Sequence, residues 1–173
     1  MITWSPSDIV TDRNALAAER PRHHDPEGTA VITLEEATQI IDEALRYARS
    51  RDLAPMTVAV EDSRGCLIAL KAEKGSDLLR PAIADGKAWS ALGLGVGTRS
   101  LAARSAQQPS FYAALAALTD GRVLPVPGGV LIRADEGELI GAAGASGDIA
   151  DHDEDCIVAG ITRAGFTADA GQG

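Results

Sequence analysis

The sequence predicts an α/β protein of the α+β kind, one antiparallel sheet with helices packed on it. Three observations carry this. Short apolar strands joined by tight turns lie on both sides of a helical middle, and turn-linked strands pair antiparallel. A long amphipathic helix precedes the first strand pair. Another helix follows the last strand. At 173 residues the chain has the length of one domain.

Residues 1–30 stand apart as an N-terminal arm, and residues 31–173 form the domain. Pro6, Arg20, Pro21, Arg22, His23, His24, Pro26 and Gly28 interrupt any period in the arm, which is expected on the surface or on a neighbouring subunit. Thr33 with Glu36 three residues later is a capping box that satisfies two amides at a helix start. Leu34, Ala37, Ile40, Ile41, Ala44, Leu45 and Ala48 then form one apolar face. Met56–Val60 reads as a strand, Asp62-Ser63-Arg64-Gly65 as a turn and Cys66–Leu70 as the returning strand. Leu78–Leu92 is amphipathic, with Pro81 near its start, where a missing amide is harmless. Thr98 is placed to cap a short helix through Arg104, and Ser110 another through Leu118. Strands follow at Arg122–Val126, Val130–Ala134 and, past the turn Asp135-Glu136-Gly137, Glu138–Ala145. A last helix runs from Asp153 to Ala164 with Ile157, Val158 and Ile161 inward. The expected order is α-β-β-α-α-α-β-β-β-α.

Composition removes several function classes. A chain that is 45% hydrophobic and 24% charged can bury a core without staples. Aromatics are only 3%, so that core is built from Leu, Ile, Val and Ala, with close contacts at glycine. The net charge of −9, with no stripe of Lys and Arg, argues against nucleic acid as a partner. Cys66 and Cys156 lie far apart, which fits neither a disulfide framework nor a thiolate zinc site. They suit a reducing cytoplasm, the expected location. The first residues, Met1 to Pro6, carry neither the basic region nor the apolar run of a secretory signal. No stretch approaches the ~20 apolar residues of a membrane span.

Several motifs suggest chemistry. Gly93-Leu94-Gly95-Val96-Gly97 follows a helix rather than a strand, and it lacks both the Gly-x-Gly-x-x-Gly spacing and a P-loop lysine. It is better read as a helix terminator. Asp151, Asp153 and Asp155 alternate like the start of a calcium loop. Cys156 stands where that loop needs glycine, and Thr162 where it needs a bidentate glutamate. What remains is a group of acids favoured by a helix N-terminus. His152 among them is a candidate metal ligand or titrating group, set against its being a lone surface histidine. His23, His24 and Asp25 carry ligand-type side chains, but neighbours in an extended arm point apart.

The glycine-dense segments say more. Gly128-Gly129 and the run Gly141 to Gly147 imply that something approaches the backbone closely, either a packed helix or a ligand. On the second reading Gly128, Gly129, Ser146 and Gly147 are ligand contacts. Lys87 lies in an otherwise apolar helix. It is either a surface lysine snorkelling over the core, or a cation for a ligand carboxylate or a proton carrier. Asp62 ends the first strand, where turn capping is favoured over catalysis. On the catalytic alternative Lys87 holds a carboxylate, and Asp62 orients Lys87 or moves a proton.

Val58-Ala59-Val60-Glu61-Asp62-Ser63-Arg64-Gly65 matches a Val-Ala-Val-x-Asp-x-x-Gly hairpin, and Lys87-Ala88 a Lys-Ala pair in a central helix. Gly128-Gly129-Val130-Leu131-Ile132 matches a Gly-Gly-x-Pro-Ile segment. Ile140-Gly141-Ala142-Ala143-Gly144-Ala145-Ser146-Gly147, with Asp153 and Ala159-Gly160, matches an Ile-Gly-x-x-Gly-x-Ser-Gly…Asp…Ala-Gly ending. In this order, over roughly residues 33–165, the motifs resemble the GlcG/HbpS-like family. That family is sometimes called haem-degrading and is related to the C-terminal domain of some corrinoid adenosyltransferases. The resemblance implies a profilin-like domain and homo-oligomeric assembly. Some members bind haem, and a threonine in the segment matching Gly97-Thr98-Arg99-Ser100 is linked to that binding, which makes Thr98 the carried-over candidate; Arg99 is a candidate ligand contact as a cation. Leu131 replaces the usual proline, Lys71–Ser76 differs from the common Arg-Met-Asp-Gly, and the arm is longer than the family core. No histidine falls between His24 and His152, so the matched core lacks an obvious iron ligand.

Three functions follow. Haem or tetrapyrrole binding leads, with haem as cofactor, an apolar slot, and Lys87, Arg99 and Arg104 as partners for the propionates. An enzyme acting on a small carboxylate or oxygenated catabolite, by proton transfer or carbon–carbon lyase chemistry, needs a small polar pocket near Lys87 and Asp62. A non-catalytic accessory protein of a catabolic pathway is the third. In each, the partners are a small molecule and further copies of the chain.

Overall fold

The computed structural model describes residues 30–172; the expected arm, apart from Ala30, lies outside them. Helix α1 spans Leu34–Ser50. Its capping box forms: Glu36 N donates to Thr33 Oγ1 at 3.2 Å, and Thr33 N to Glu36 Oε2 at 2.9 Å. Strands β1 (Thr57–Asp62) and β2 (Leu67–Ala72) make the first hairpin. Helices α2 (Arg80–Leu94), α3 (Thr98–Gln107) and α4 (Pro109–Leu118) follow. Strands β3 (Gly129–Arg133) and β4 (Leu139–Ser146) make the second hairpin, and helix α5 (Ala150–Arg163) and strand β5 (Thr167–Asp169) end the fold. Among the described residues, no helix is long and apolar enough to cross a membrane.

The five strands form one antiparallel sheet in the order β2-β1-β4-β3-β5. Successive side chains point to opposite faces. Val58, Val60, Val130, Ile132, Ala143 and Ala145 meet Ile40 and Ile41 of α1 and Ile157 and Ile161 of α5 in the main core. The other face carries α2, which lies over β4, β1 and β3. There Leu131 and Ala142 meet Ala88 and Ala91 in a thinner core.

That second layer is thin because the sheet offers α2 almost no side chains. A Cβ on Gly144 would fall 2.8 Å from the Ala88 amide nitrogen and closer still to the Ala84 carbonyl. One on Gly129 would fall 2.7 Å from Thr98 Cγ2 and closer still to the Lys87 carbonyl. Helix-on-sheet packing therefore accounts for both glycines, the first of the two readings their spacing allowed.

The structure corrects three expectations. Arg122–Val126 is not a strand. Pro125 and Pro127 remove amide donors that a ladder needs. The Leu124 amide instead donates to Ser90 Oγ at 2.8 Å, and Val123 turns into a small core with Leu101 and Tyr112. Conversely β5 forms against Leu131–Arg133, only three residues long and too short to show alternation. Thr98 and Ser110 cap nothing, since Gly97 and Gln108 hold the N-cap positions without a side-chain bond. The observed order is α-β-β-α-α-α-β-β-α-β. Gly95 does end α2, with φ at 69°.

Two glycines of the α2 layer have opposite expected outcomes. Gly144→Ala overpacks the α2 contact and should cost about 1–3 kcal/mol. Gly93→Ala, on an open face of α2 with nothing within 4 Å of the added carbon, should gain roughly 0.5–1 kcal/mol. Urea unfolding of both variants reads this; equal midpoints would mean that α2 has slack over β4.

Candidate functional site

Lys87 is not a surface lysine. It is 2% exposed, and its Nζ donates to Asp153 Oδ2 at 2.7 Å and to the Ala145 carbonyl at 2.9 Å. Asp153 is as deeply buried, and its Oδ1 accepts from the amides of Gly147 and Asp148, each at 3.0 Å. The ion pair thus runs past the end of β4 and joins α2 on one face of the sheet to α5 on the other. Gly128 lies against it with φ at 111°, and a Cβ there would stand 2.9 Å from Nζ. Burial pulls the Lys87 ammonium below its ordinary value, with Asp153 opposing that shift. A charge this far from water persists only with such a partner.

Most of the other expected site residues gather around this pair. Thr98 has no exposed surface; its Oγ1 accepts from Gly129 N at 2.8 Å and donates to Gly129 O at 3.2 Å. Arg99, beside it, donates to Glu154 Oε1 at 2.7 Å and to Asp151 Oδ1 at 2.6 Å. These acids, Asp151 foremost, hold the Arg99 guanidinium above its ordinary value. Glu154 Oε2 is buried and has no donor among the described residues. Ser146 is buried and accepts from Arg80 at 3.1 Å. Gly147 contributes its amide to Asp153. Lys87, Thr98, Arg99, Gly128, Gly129, Ser146 and Gly147 are therefore one neighbourhood at one end of the sheet.

Asp62 is not part of it. Thr57 pairs with Ser146 at one end of β1, and Asp62 pairs with Gly141 at the other. Five residues of strand separate those ends, about 16 Å at ~3.3 Å per residue. Asp62 caps the hairpin, as turn chemistry favours: Oδ1 accepts from the amides of Arg64 and Cys66, and Oδ2 from the Arg64 guanidinium. These bonds outweigh the cost of burial and hold its carboxyl below the ordinary value. The expected partnership of Asp62 with Lys87 is thus replaced by Asp153. His152 is half-exposed, with Nδ1 at 3.0 Å from Asp148 Oδ1. Asp148 is held down to about 2, first by the Ala54 amide and then by the Ile149 amide. Among the described residues, no three His, Cys, Asp or Glu side chains converge on a metal position.

Asp153 and Glu154 were missed as site residues. The usable signal was the helical period. Asp153, Ile157 and Gly160 lie four and three residues apart, and all are buried on α5. Of the three alternating aspartates, Asp153 alone shares that face, which singles it out as the partner a buried lysine needs.

A haem iron does not fit at Thr98 in this conformation. The hydroxyl is out of contact with solvent and bonded twice to Gly129, so iron could reach it only if α3 left β3. Lys87 is likewise taken by Asp153.

A sheet of this kind with a helical layer on each face is also found in known proteins. A family model described as "Haem degrading protein HbpS-like" matches residues 32–162. The chain belongs to that HbpS-like family. The fold is similar to a double mutant of HbpS from Streptomyces reticuli, with 27% identity and a TM-score of 0.69 over 86% of this chain and 99% of that one. It is similar to Klebsiella pneumoniae protein ORFY, with 27% identity and a TM-score of 0.69 over 77% and 90%. A structure described as a PduOC–haem complex shares the fold at 24% identity and a TM-score of 0.71 over 79% and 97%. No curated protein sequence matches the chain.

The buried pair can be tested by a double-mutant cycle. Asp153→Asn and Lys87→Met each leave one buried charge alone and should cost about 3–5 kcal/mol. The double variant removes both charges and should recover at least ~1 kcal/mol of their sum. Strictly additive losses in denaturant unfolding would show that the two charges do not interact.

Proposed function

We propose that this protein binds haem or a closely related tetrapyrrole. The observation that carries the reading is membership of the HbpS-like family over residues 32–162. The likeness to HbpS at 27% identity supports it. Haem brings redox-active iron on a large apolar plane with two carboxylates. This chain's part is to cover that plane and to offset the carboxylates. Phe111 and Leu118 on α4 are 54% and 80% exposed and supply apolar surface, and Arg104 is exposed on α3. On this reading the buried Lys87–Asp153 pair holds the fold and is not a ligand contact. Proton transfer between Lys87 and Asp62 loses its support, because Lys87 lies near the Ser146 end of the β1–β4 pair and is bonded to Asp153, while Asp62 lies at the other end and is bonded to Arg64 and Cys66. The wider form of the proposal is a cytoplasmic homo-oligomer serving catabolism, and sedimentation of the full chain reads the assembly.

Haemin titration of the full chain, followed in the Soret band, tests the reading. The wild type should shift the band. Thr98→Val should keep the shift while losing about 1–2 kcal/mol of stability with the Gly129 bonds. No shift in the wild type would overturn haem binding. A folded Thr98→Val variant that no longer shifts the band would make Thr98 the iron contact and show that the α3–β3 junction opens. A loss confined to the double variant His23→Ala/His24→Ala would place the iron contact on the arm.

A further inference from the structure

Past α5 the chain runs back along the edge of the sheet and then onto the start of α3. Strand β5 pairs with the outer edge of β3, Thr167 with Arg133 and Asp169 with Leu131. Arg133 Nε donates to Asp169 Oδ2 at 2.9 Å, and Ala168 and Ala170 pack on the main core. Ala170 then crosses Gly97. A Cβ on Gly97 would stand 2.6 Å from Ala170 Cα and closer still to its carbonyl. Gly171 turns the chain with φ at 78°, and Gln172 brackets Ser100. Gln172 N donates to Ser100 Oγ at 2.9 Å, and Ser100 Oγ donates to the Gln172 carbonyl at 2.8 Å.

Helix α3 has few other holds. Of its ten residues only Thr98 and Leu101 are buried, and Gly97 caps it without a side-chain bond. A helix of this length is marginal by itself and needs tertiary contacts. Thr98 and Ser100, two residues apart, point to different sides of the helix. Thr98 bonds inward to Gly129 on β3, Arg99 to Asp151 and Glu154 on α5, and Ser100 outward to Gln172. We propose that residues 170–172 are a clasp that holds the first turn of α3 shut on β3, and that lifting the clasp lets this turn swing out and uncovers the Thr98 hydroxyl and the Gly129 amide. The clasp thus governs access to a junction that is closed to a ligand in this conformation. Its bearing on haem rests on the function proposed above, whereas the motion does not.

The clasp is the breakable side of this junction. Both bonds between Ser100 and Gln172 are exposed, so water can replace either partner. The bonds of Thr98 to Gly129 are buried, and once the turn lifts they leave a hydroxyl and a backbone amide for water or a ligand oxygen. Local opening starts where few buried contacts hold the backbone. Lys87 and Asp153 stay in place, because their pair is made by α2 and α5 and involves no residue of α3. Gly97 is the position that senses the clasp. Its φ of −57° suits any residue, and the nearest atoms to an added Cβ all belong to Ala170. A methyl group there strains nothing in the backbone of α3 and collides with the clasp.

Hydrogen exchange of the full chain, read by mass spectrometry, tests the clasp with two variants. Gly97→Ala pushes Ala170 away, and deletion of residues 171–173 removes the bonds to Ser100. In both, the Gly129 amide and the amides of residues 102–107 should exchange about 10-fold faster than in the wild type, while β1 and β4 keep their rates. Acylation of Lys87 should stay as slow as in the wild type. Wild-type exchange at Gly129 and α3 in either variant overturns the proposal. So does a rise that extends to β1, β4 or Lys87, because the tail would then support the whole fold rather than α3. If Gly97→Ala does not fold, the deletion decides by the same criteria. Haemin is absent from the measurement, so failure of the clasp and failure of haem binding are separate results.

Discussion

A lysine and an aspartate, each almost out of water, meet at the end of β4, and the two helical layers are tied together through them. Lys87 comes from α2 on one face and Asp153 from α5 on the other. The contact exists only because the backbone gives way there. Gly128 leaves room for the ammonium, Gly129 lets the Lys87 carbonyl come down on β3, and Gly147 lends an amide to Asp153. A buried ion pair adds little net stability compared with an apolar pair of the same size, but it tolerates no partial loss. Its contribution is registry: it fixes where α2 crosses the sheet and where α5 begins.

The same constraint organises the neighbours. Thr98 starts α3 and binds both backbone groups of Gly129, so α3 is positioned by the strand that α2 covers. Arg99 then reaches back to Asp151 and Glu154 on α5, a second tie between the helical layers, closer to solvent. The residues that resemble a ligand site in sequence are thus drawn together by the demands of a close α2–sheet contact. A glycine-rich, lysine-containing pattern can thus arise from helix-on-sheet packing.

The legible parts of the sequence were those governed by local rules. Thr33 and Glu36 announced α1, and Asp62 to Gly65 announced the first turn, because a cap or a turn is settled within a few residues. Gly128, Gly129 and Lys87 were legible as a group, though not in their roles, since periodicity cannot say whether a helix or a ligand fills the space above a glycine. The Arg122–Val126 strand failed because its apolar residues go to a helical cluster, and its prolines lack the amides a ladder needs. Strand β5 was invisible because three residues carry no period. Asp153 was hidden among alternating acids until its place on the inward face of α5 was counted.

The central claim is that Lys87 belongs to the fold and is closed to ligands. Acylation of the folded protein with an amine-reactive reagent, mapped by mass spectrometry, tests it most directly, because the chain has only three lysines, Lys71, Lys74 and Lys87. Lys71, 41% exposed in its pair with Asp42, and Lys74, which is exposed, serve as internal references. The account predicts that both react readily, while Lys87 reacts only as fast as the protein unfolds. Labelling of native Lys87 at the rate of Lys71 and Lys74 would contradict it, and would return the lysine to solvent and to any anion that binds there.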